Sequence, residues 1–348
     1  MTLLEVRTLR KYYPTASRHG GFMGLRSRRS FLHAVDDVSF SLGAGEALGL
    51  VGESGCGKST LASLVARLAD PTSGSILLDG EDLAATPAAR AAGAPWRARI
   101  QMVFQDPYES LDPRRPIRDA IGAPLTRLKG LRGTELQERV QWALDRVHLP
   151  ATLADRLPHQ LSGGQLARAG IARAIALEPR VLILDEPTSA LDVSIQAAIL
   201  KLVDTLRQDL GIALLFVSHD LNVVRLLCQR VMVMYLGEVV EHGPVEAVFN
   251  APRHPYTAGL VAAVPILGQR ARSRPPHLAG EPGSPIDPAP DRCRFETRCS
   301  SASDLCRTRR PVFPAAGADR GAACHHPRSP ASDGVDDGLV LHAAGRDA

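Results

Sequence analysis

ALGLVGESGCGKSTLASLVARL, residues 47–68, decides the fold of this chain. Apolar Ala47–Val51 reads as a strand, and it runs into a turn that holds Gly52, Gly55 and Gly57. A helical pattern over Lys58–Leu68 follows. Residues Gly52–Lys58–Ser59 fit G-x-x-x-x-G-K-[ST], the P-loop, in the strand-to-helix context it requires. Glycines let successive backbone N–H groups turn inward around phosphate oxygens, and the helix points its positive end at the same charge. Lys58 adds a full charge beside the β- and γ-phosphates, and the Ser59 hydroxyl is placed to ligate Mg²⁺. The candidate phosphate-binding residues are Gly52, Glu53, Ser54, Gly55, Cys56, Gly57, Lys58, Ser59 and Thr60. A chance match arises in about one chain in a hundred of this length, so further motifs are needed.

Outward from this stretch, strand-like runs at Ile100–Phe104, Val181–Leu184 and Ile212–Val217 alternate with helical patterns at Ser194–Arg207 and Asp220–Leu227. Such alternation predicts an α/β domain with a largely parallel core sheet. Between about Tyr108 and Glu178 strand signals give way to helical stretches such as Glu135–Arg146 and Gln165–Ala176, which predicts a helical insert. VLILDE, Val181–Glu186, is an apolar strand ending in two acids. Asp185 is then placed to hold Mg²⁺, directly or through water, and Glu186 to polarise the attacking water.

LSGGQ, Leu161–Gln165, places two adjacent glycines at a second helix start, another anion-binding end. A chain with a P-loop does not need it for its own nucleotide, so this end is expected to face nucleotide held by a second subunit. Here the sequence resembles the ABC ATPases, whose signature is LSGGQ. The resemblance implies several roles. Gln105 in VFQDP is the glutamine that senses Mg²⁺ and water and links to the membrane subunit. Ser162, Gly163, Gly164 and Gln165 contact nucleotide across the dimer, with Asp192 in SALD nearby. His219 in FVSHD contacts the γ-phosphate. Tyr13 in KYYP stacks on adenine, with Tyr12 as rival. Leu166 and Ala167 precede Arg168 where the family often has polar or basic residues, and Asp112 stands where relatives usually carry Asn.

VFQDPYESLDPR, EPTSALDVSIQAAIL and HPYTAGLVAAVP (His254–Pro265) look like the subfamily serving di- and oligopeptides, over roughly residues 3–326. The likeness implies an importer motor with a second ATPase subunit, two transmembrane permeases and an extracytoplasmic peptide-binding protein, on the cytoplasmic face of the membrane. Importers of nickel or glutathione are an alternative, as is a soluble ABC ATPase of translation or DNA repair. A single P-loop and the lack of sustained heptads speak against the soluble types.

Of six cysteines, Cys293, Cys299, Cys306 and Cys324 form C-x5-C-x6-C-x17-C. Four thiolates suit a [4Fe–4S] cluster or tetrahedral Zn²⁺, and the resemblance favours iron–sulfur. His325 and His326 are spare ligands, while Cys56 and Cys228 read as packing residues. The domain organisation expected is an ATPase domain over 1–265 with the helical subdomain at about 108–178, a cysteine-rich segment over 266–328, and a disordered tail over 329–348. Within it, a basic insertion at 18–29 and a Pro/Gly-rich linker at 275–290 stand out. The cysteine segment is expected to lie far from the P-loop, so that its disturbance leaves ATP binding largely intact.

Composition agrees with a folded globular protein, at 45% hydrophobic and 22% charged residues of 348. A net charge of +4 gives no electrostatic case for nucleic acid. No apolar run reaches the roughly 18 residues of a membrane span, and the N-terminus lacks the apolar core of a signal peptide, so the expected location is cytosolic.

Overall fold

The computed structural model describes residues 2–15, 29–189, 191–264, 280–313 and 319–328. Most of the 18–29 insertion, the first part of the linker and the 329–348 tail lie outside the described residues.

Two sheets carry the fold. The first is antiparallel: β1 (Thr2–Thr15), β2 (Ser30–Gly43), β4 (Ser73–Leu78) and β5 (Glu81–Asp82), in the order β2-β1-β4-β5. The second contains β3 (Ala47–Val51), β6 (Ile100–Val103), β7 (Val181–Asp185), β8 (Ala213–Val217), β9 (Arg230–Tyr235), β10 (Glu238–Pro244) and β11 (Gly321–Ala322). Its order is β11-β10-β9-β3-β8-β7-β6. From β9 to β6 every pairing is parallel, and β10 and β11 add an antiparallel edge.

A parallel sheet covered on both faces reads as a continuous apolar run, because neither face meets water. In β8, Leu214 and Phe216 pack on one side and Ala213, Leu215 and Val217 on the other. β7 repeats the split, with Leu182 and Leu184 against Val181 and Ile183. One side is covered by helices of the insert and the chain's second half, and the other by α1 (Lys58–Val65) and the antiparallel sheet. The helix after the P-loop stops three residues short of the expected Leu68. Arg67 there has a positive φ of 55° and ends the helix, and its buried guanidinium donates to the carbonyls of Leu83 and Thr86.

Between β6 and β7 the chain is helical, with α2 (Pro107–Ser110), α3 (Ile117–Pro124), α4 (Gly133–Arg146) and α5 (Gly163–Ile175). Then come α6 (Val193–Leu210), α7 (Leu221–Leu227), α8 (Val245–Asn250), α9 (Pro255–Ala262) and the short α10 (Asp304–Thr308). The N-terminal antiparallel strands were not expected from sequence, and β1 shows why. Its pairing with β2 shifts register between Val6 and Leu9 and again between Leu9 and Lys11. Bulges of this kind erase the period-two alternation that marks a strand.

The stretch HPYTAGL acquires a local explanation. His254 caps α9 by accepting the Tyr256 N–H at 3.1 Å, and Pro255 occupies the first helical position, where its missing N–H costs nothing. Burial pushes the His254 imidazole down to about 4, which keeps the ring neutral and able to accept.

Candidate functional site

Parallel strands of an open α/β sheet bind ligands at their carboxyl ends, and here four such ends converge. β3 delivers the P-loop. β6 is followed by Gln105, β7 by Glu186 and β8 by His219. Around them lies an open cavity of about 550 Å³, within the roughly 300–1,000 Å³ usual for small-molecule sites. Ser54, Gly55, Cys56, Gly57, Lys58, Ser59 and Thr60 line it, together with Gln105, Glu186 and His219.

Lys58 is buried, and its ammonium donates to the carbonyls of Gly52 at 2.9 Å and Glu53 at 3.0 Å. Gly57 precedes α1 at φ 107°, a conformation that only glycine adopts without strain. Ser59 Oγ donates to Asp185 Oδ1 at 3.2 Å. Burial pushes the buried Asp185 carboxyl up, with the neighbouring Glu186 charge adding to it and the Ser59 bond opposing it. A cation beside Ser59 and Asp185 would relieve that cost, so the donor set fits Mg²⁺.

Glu186 forms the hub of the polar group. Gln105 Nε2 donates to its Oε2 at 3.3 Å, and His219 Nδ1 lies 3.1 Å from the same oxygen. Its backbone sits at φ 46°, a left-handed turn immediately after the strand. Strain of this kind collects at functional sites.

Tyr13 and Tyr12 are separated by their surroundings. Tyr13 is half-exposed and lines the cavity beside Leu32 and His33. Tyr12 stacks on His33 at 3.9 Å and its hydroxyl donates to Asp36 at 2.6 Å, so it is already occupied.

LSGGQ lies elsewhere. None of Ser162, Gly163, Gly164 and Gln165 lines the cavity, and neither does Asp192. Ser162 caps α5 in a reciprocal box with Gln165: the Gln165 N–H reaches Ser162 Oγ at 3.4 Å, and the Ser162 N–H reaches Gln165 Oε1 at 2.9 Å. A Cβ on Gly164 would come within 2.7 Å of Ile195 Cγ2, so this glycine lets α5 approach the start of α6. Asp192 caps α6 by accepting the Ile195 N–H at 3.0 Å.

Cys293, Cys299, Cys306 and Cys324 line one small cavity together with His254, His325 and His326. None of the four is in a disulfide, and burial pushes Cys293 up to about 12 and raises Cys299 and Cys324. The His326 N–H donates to Cys324 Sγ at 3.4 Å. A single tetrahedral Zn²⁺ needs sulfurs about 3.8 Å apart, given Zn–S bonds of about 2.3 Å. Among the described residues no group of three or more His, Cys, Asp or Glu is drawn together to hold one metal ion. The zinc alternative thus finds no formed site, and neither metal expectation is matched by a metal-holding group. The histidines named as spare ligands have other partners: His325 Nε2 meets the Arg309 carbonyl and His326 Nε2 meets Ser303 Oγ, each at 2.8 Å.

One expectation is corrected. The cysteine segment does not lie far from the P-loop. Arg298, next to Cys299, forms a two-pronged ion pair with Glu53 at 2.7 and 2.9 Å. Tyr256 and Arg298 were both passed over in the sequence. Tyr256 stood in a stretch read only as a mark of subfamily, and Arg298 was one of many arginines in its segment.

With this geometry in place, the comparisons define the class of protein. The ABC transporter family matches residues 35–189, and the family described as oligopeptide/dipeptide transporter, C-terminal region, matches residues 240–306. A post-hydrolysis dimer of the ATP-binding cassette MJ0796, bound to ADP and Pi, has the same fold with a TM-score of 0.61 at 27% identity, covering 70% of this chain and 99% of that one. The chain belongs to the ABC transporter family, as an ATP-hydrolysing component. It is similar to the oligopeptide transport ATP-binding protein AppF of Bacillus subtilis, 43% identical over 327 residues that cover 93% of this chain and 97% of that protein. It is also similar to the dipeptide transport ATP-binding protein DppF of Haemophilus influenzae, 42% identical over 328 residues, with 93% and 96% covered. Among the described residues no helix is long and apolar enough to cross a membrane.

Proposed function

We propose that this chain is the ATP-driven motor subunit of a peptide importer, working from the cytoplasmic face of the membrane with a second ATPase subunit and two permeases. An extracytoplasmic protein delivers the peptide. The observation that carries this reading is a divided site. Gln105, Glu186 and His219 gather at the P-loop cavity, while Ser162–Gln165 lie outside it. Each P-loop is completed by LSGGQ from the other subunit, so ATP adds contacts to the closed pair alone, as a ligand-driven change requires. The peptide specificity rests on the AppF and DppF likeness and the matched C-terminal region.

In this reading Lys58 and the P-loop amides hold the phosphates and Tyr13 stacks on the base. Ser59 and Asp185 hold Mg²⁺, with Gln105 beside them. Bound Mg²⁺ supplies positive charge at the phosphate oxygens. Glu186 orients the attacking water and accepts its proton, and His219 contacts the γ-phosphate. The isolated chain is expected to be a weak ATPase. Assembly with its partners in a lipid disc is expected to raise turnover, with a further rise when the peptide-loaded binding protein is added. Full, peptide-stimulated activity from the monomer would contradict the divided site.

The four clustered cysteines hold a [4Fe–4S] cluster in the same reading. Support comes from their shared cavity and from the His326 N–H that meets Cys324 Sγ, since such a hydrogen bond stabilises thiolate charge. Anaerobic purification is expected to give a brown protein with about four iron and four sulfide per chain, as the cluster formula requires. A colourless protein with four reactive thiols would reject the cluster.

A further inference from the structure

A P-loop must hold several N–H dipoles pointing inward before any phosphate arrives to compensate them. Such a turn needs ties from outside. Glu53, the second residue of this loop, has two, besides one bond from within the loop. Lys58 donates to its carbonyl at 3.0 Å. Its own N–H donates to the Tyr256 hydroxyl at 2.8 Å. Its carboxylate takes both prongs of Arg298. The Lys58 ammonium has a third N–H left for a phosphate, and the other two ties can also persist with nucleotide bound.

Arg298 is well placed to be a fixed tie. Its side chain is only 5% exposed, so its charge is nearly out of water and depends on its partner. It closes the short helical turn Glu296–Arg298, which sits between Cys293 and Cys299 and is pinned by the Arg298 N–H on the Phe295 carbonyl at 3.1 Å. Phe295 packs edge-on against Tyr235 at 5.3 Å and tilted against Tyr256 at 5.6 Å. The same segment also reaches the far wall of the nucleotide cavity. Pro285 lines that wall, and its carbonyl accepts the His33 N–H at 2.9 Å. Arg294 joins the two attachments by pairing with Asp36 and Glu238.

We infer that Arg298 is a positioning residue for ATP binding, holding the P-loop in its phosphate-ready form through Glu53, so that the C-terminal segment is a working wall of the nucleotide site. The inference does not depend on what the cysteines hold. It assigns Arg298 no contact with nucleotide.

The test is calorimetric titration of the full chain with ADP, for Arg298→Gln, Glu53→Gln and the double variant. If the phosphate-ready fraction falls to about a tenth, each single variant raises Kd about tenfold. The double variant is expected to be no worse than either single, because both act through one pair. In the assembled transporter Arg298→Gln is expected to raise KM for ATP while kcat at saturating ATP holds. An unchanged Kd in Glu53→Gln would overturn the inference, and so would additive effects in the double variant or a fall in kcat without a rise in KM. Limited proteolysis monitors the segment. If Arg298→Gln loosens it, Glu53→Gln, which leaves every residue of the segment in place, decides the matter alone.

Discussion

Glu186→Gln is expected to keep nucleotide binding and to lower ATP turnover by about 10²- to 10⁴-fold, the usual worth of a positioned base. The site explains both halves. The groups proposed to bind phosphate, Lys58 and the loop amides, do not depend on the Glu186 charge. The amide keeps an acceptor oxygen for the Gln105 N–H, which lies 3.3 Å from the carboxylate now, so the neighbouring side chain need not move. Lost is the ability to take a proton from water. Phosphate release by the assembled transporter, beside nucleotide titration of the same sample, gives the comparison. Turnover near that of the unaltered protein would remove Glu186 from its proposed role, and loss of binding would show that it holds the site together instead.

The second large effect is expected at Gly57. A Cβ there would sit 2.1 Å from the Ala34 carbonyl oxygen and 2.8 Å from Met234 Cε, on a backbone with φ 107°. A carbonyl cannot swing aside as the end of a side chain can. Backbone strain alone costs about 1–3 kcal/mol, and the overlap adds to it. Gly57→Ala should therefore cost more than about 3 kcal/mol and weaken nucleotide binding by more than about 100-fold. Gly55→Ala is the internal control. Its φ is 79° but no atom lies within 4 Å of the added carbon, so only the conformational cost applies, about 1–2 kcal/mol. Nucleotide titration and thermal melting of the two variants separate the causes. Equal losses at Gly55 and Gly57 would mean that crowding against Ala34 plays no part.

How far the sequence could be read depended on how local each signal was. Strand, turn and helix around residues 47–65 were legible because their signals are contiguous. So were the buried strands β7 and β8, whose apolar runs come from being covered on both faces. Gln105, Glu186 and His219 line one cavity because all three follow parallel strands and the sheet aligns their ends. Strands β1 and β2 were missed because bulges break their alternation, and because half of each contacts the core while the rest is partly exposed. The pairing of Arg298 with Glu53 spans 245 residues. Neither residue type nor spacing could announce it, because it depends on a fold that carries the chain's last third back to its first.

The place of β3 in the sheet has a consequence for biosynthesis. Its two neighbours, β8 and β9, begin at Ala213 and Arg230. A ribosome adding about 5–20 residues per second needs about 9–37 s after Val51 to make them. During that interval an apolar strand that will end buried on both faces has neither lateral partner. The segment Ala47–Val51 is thus a natural early client for chaperones, and a pause in translation before Ala213 prolongs its exposure to aggregation.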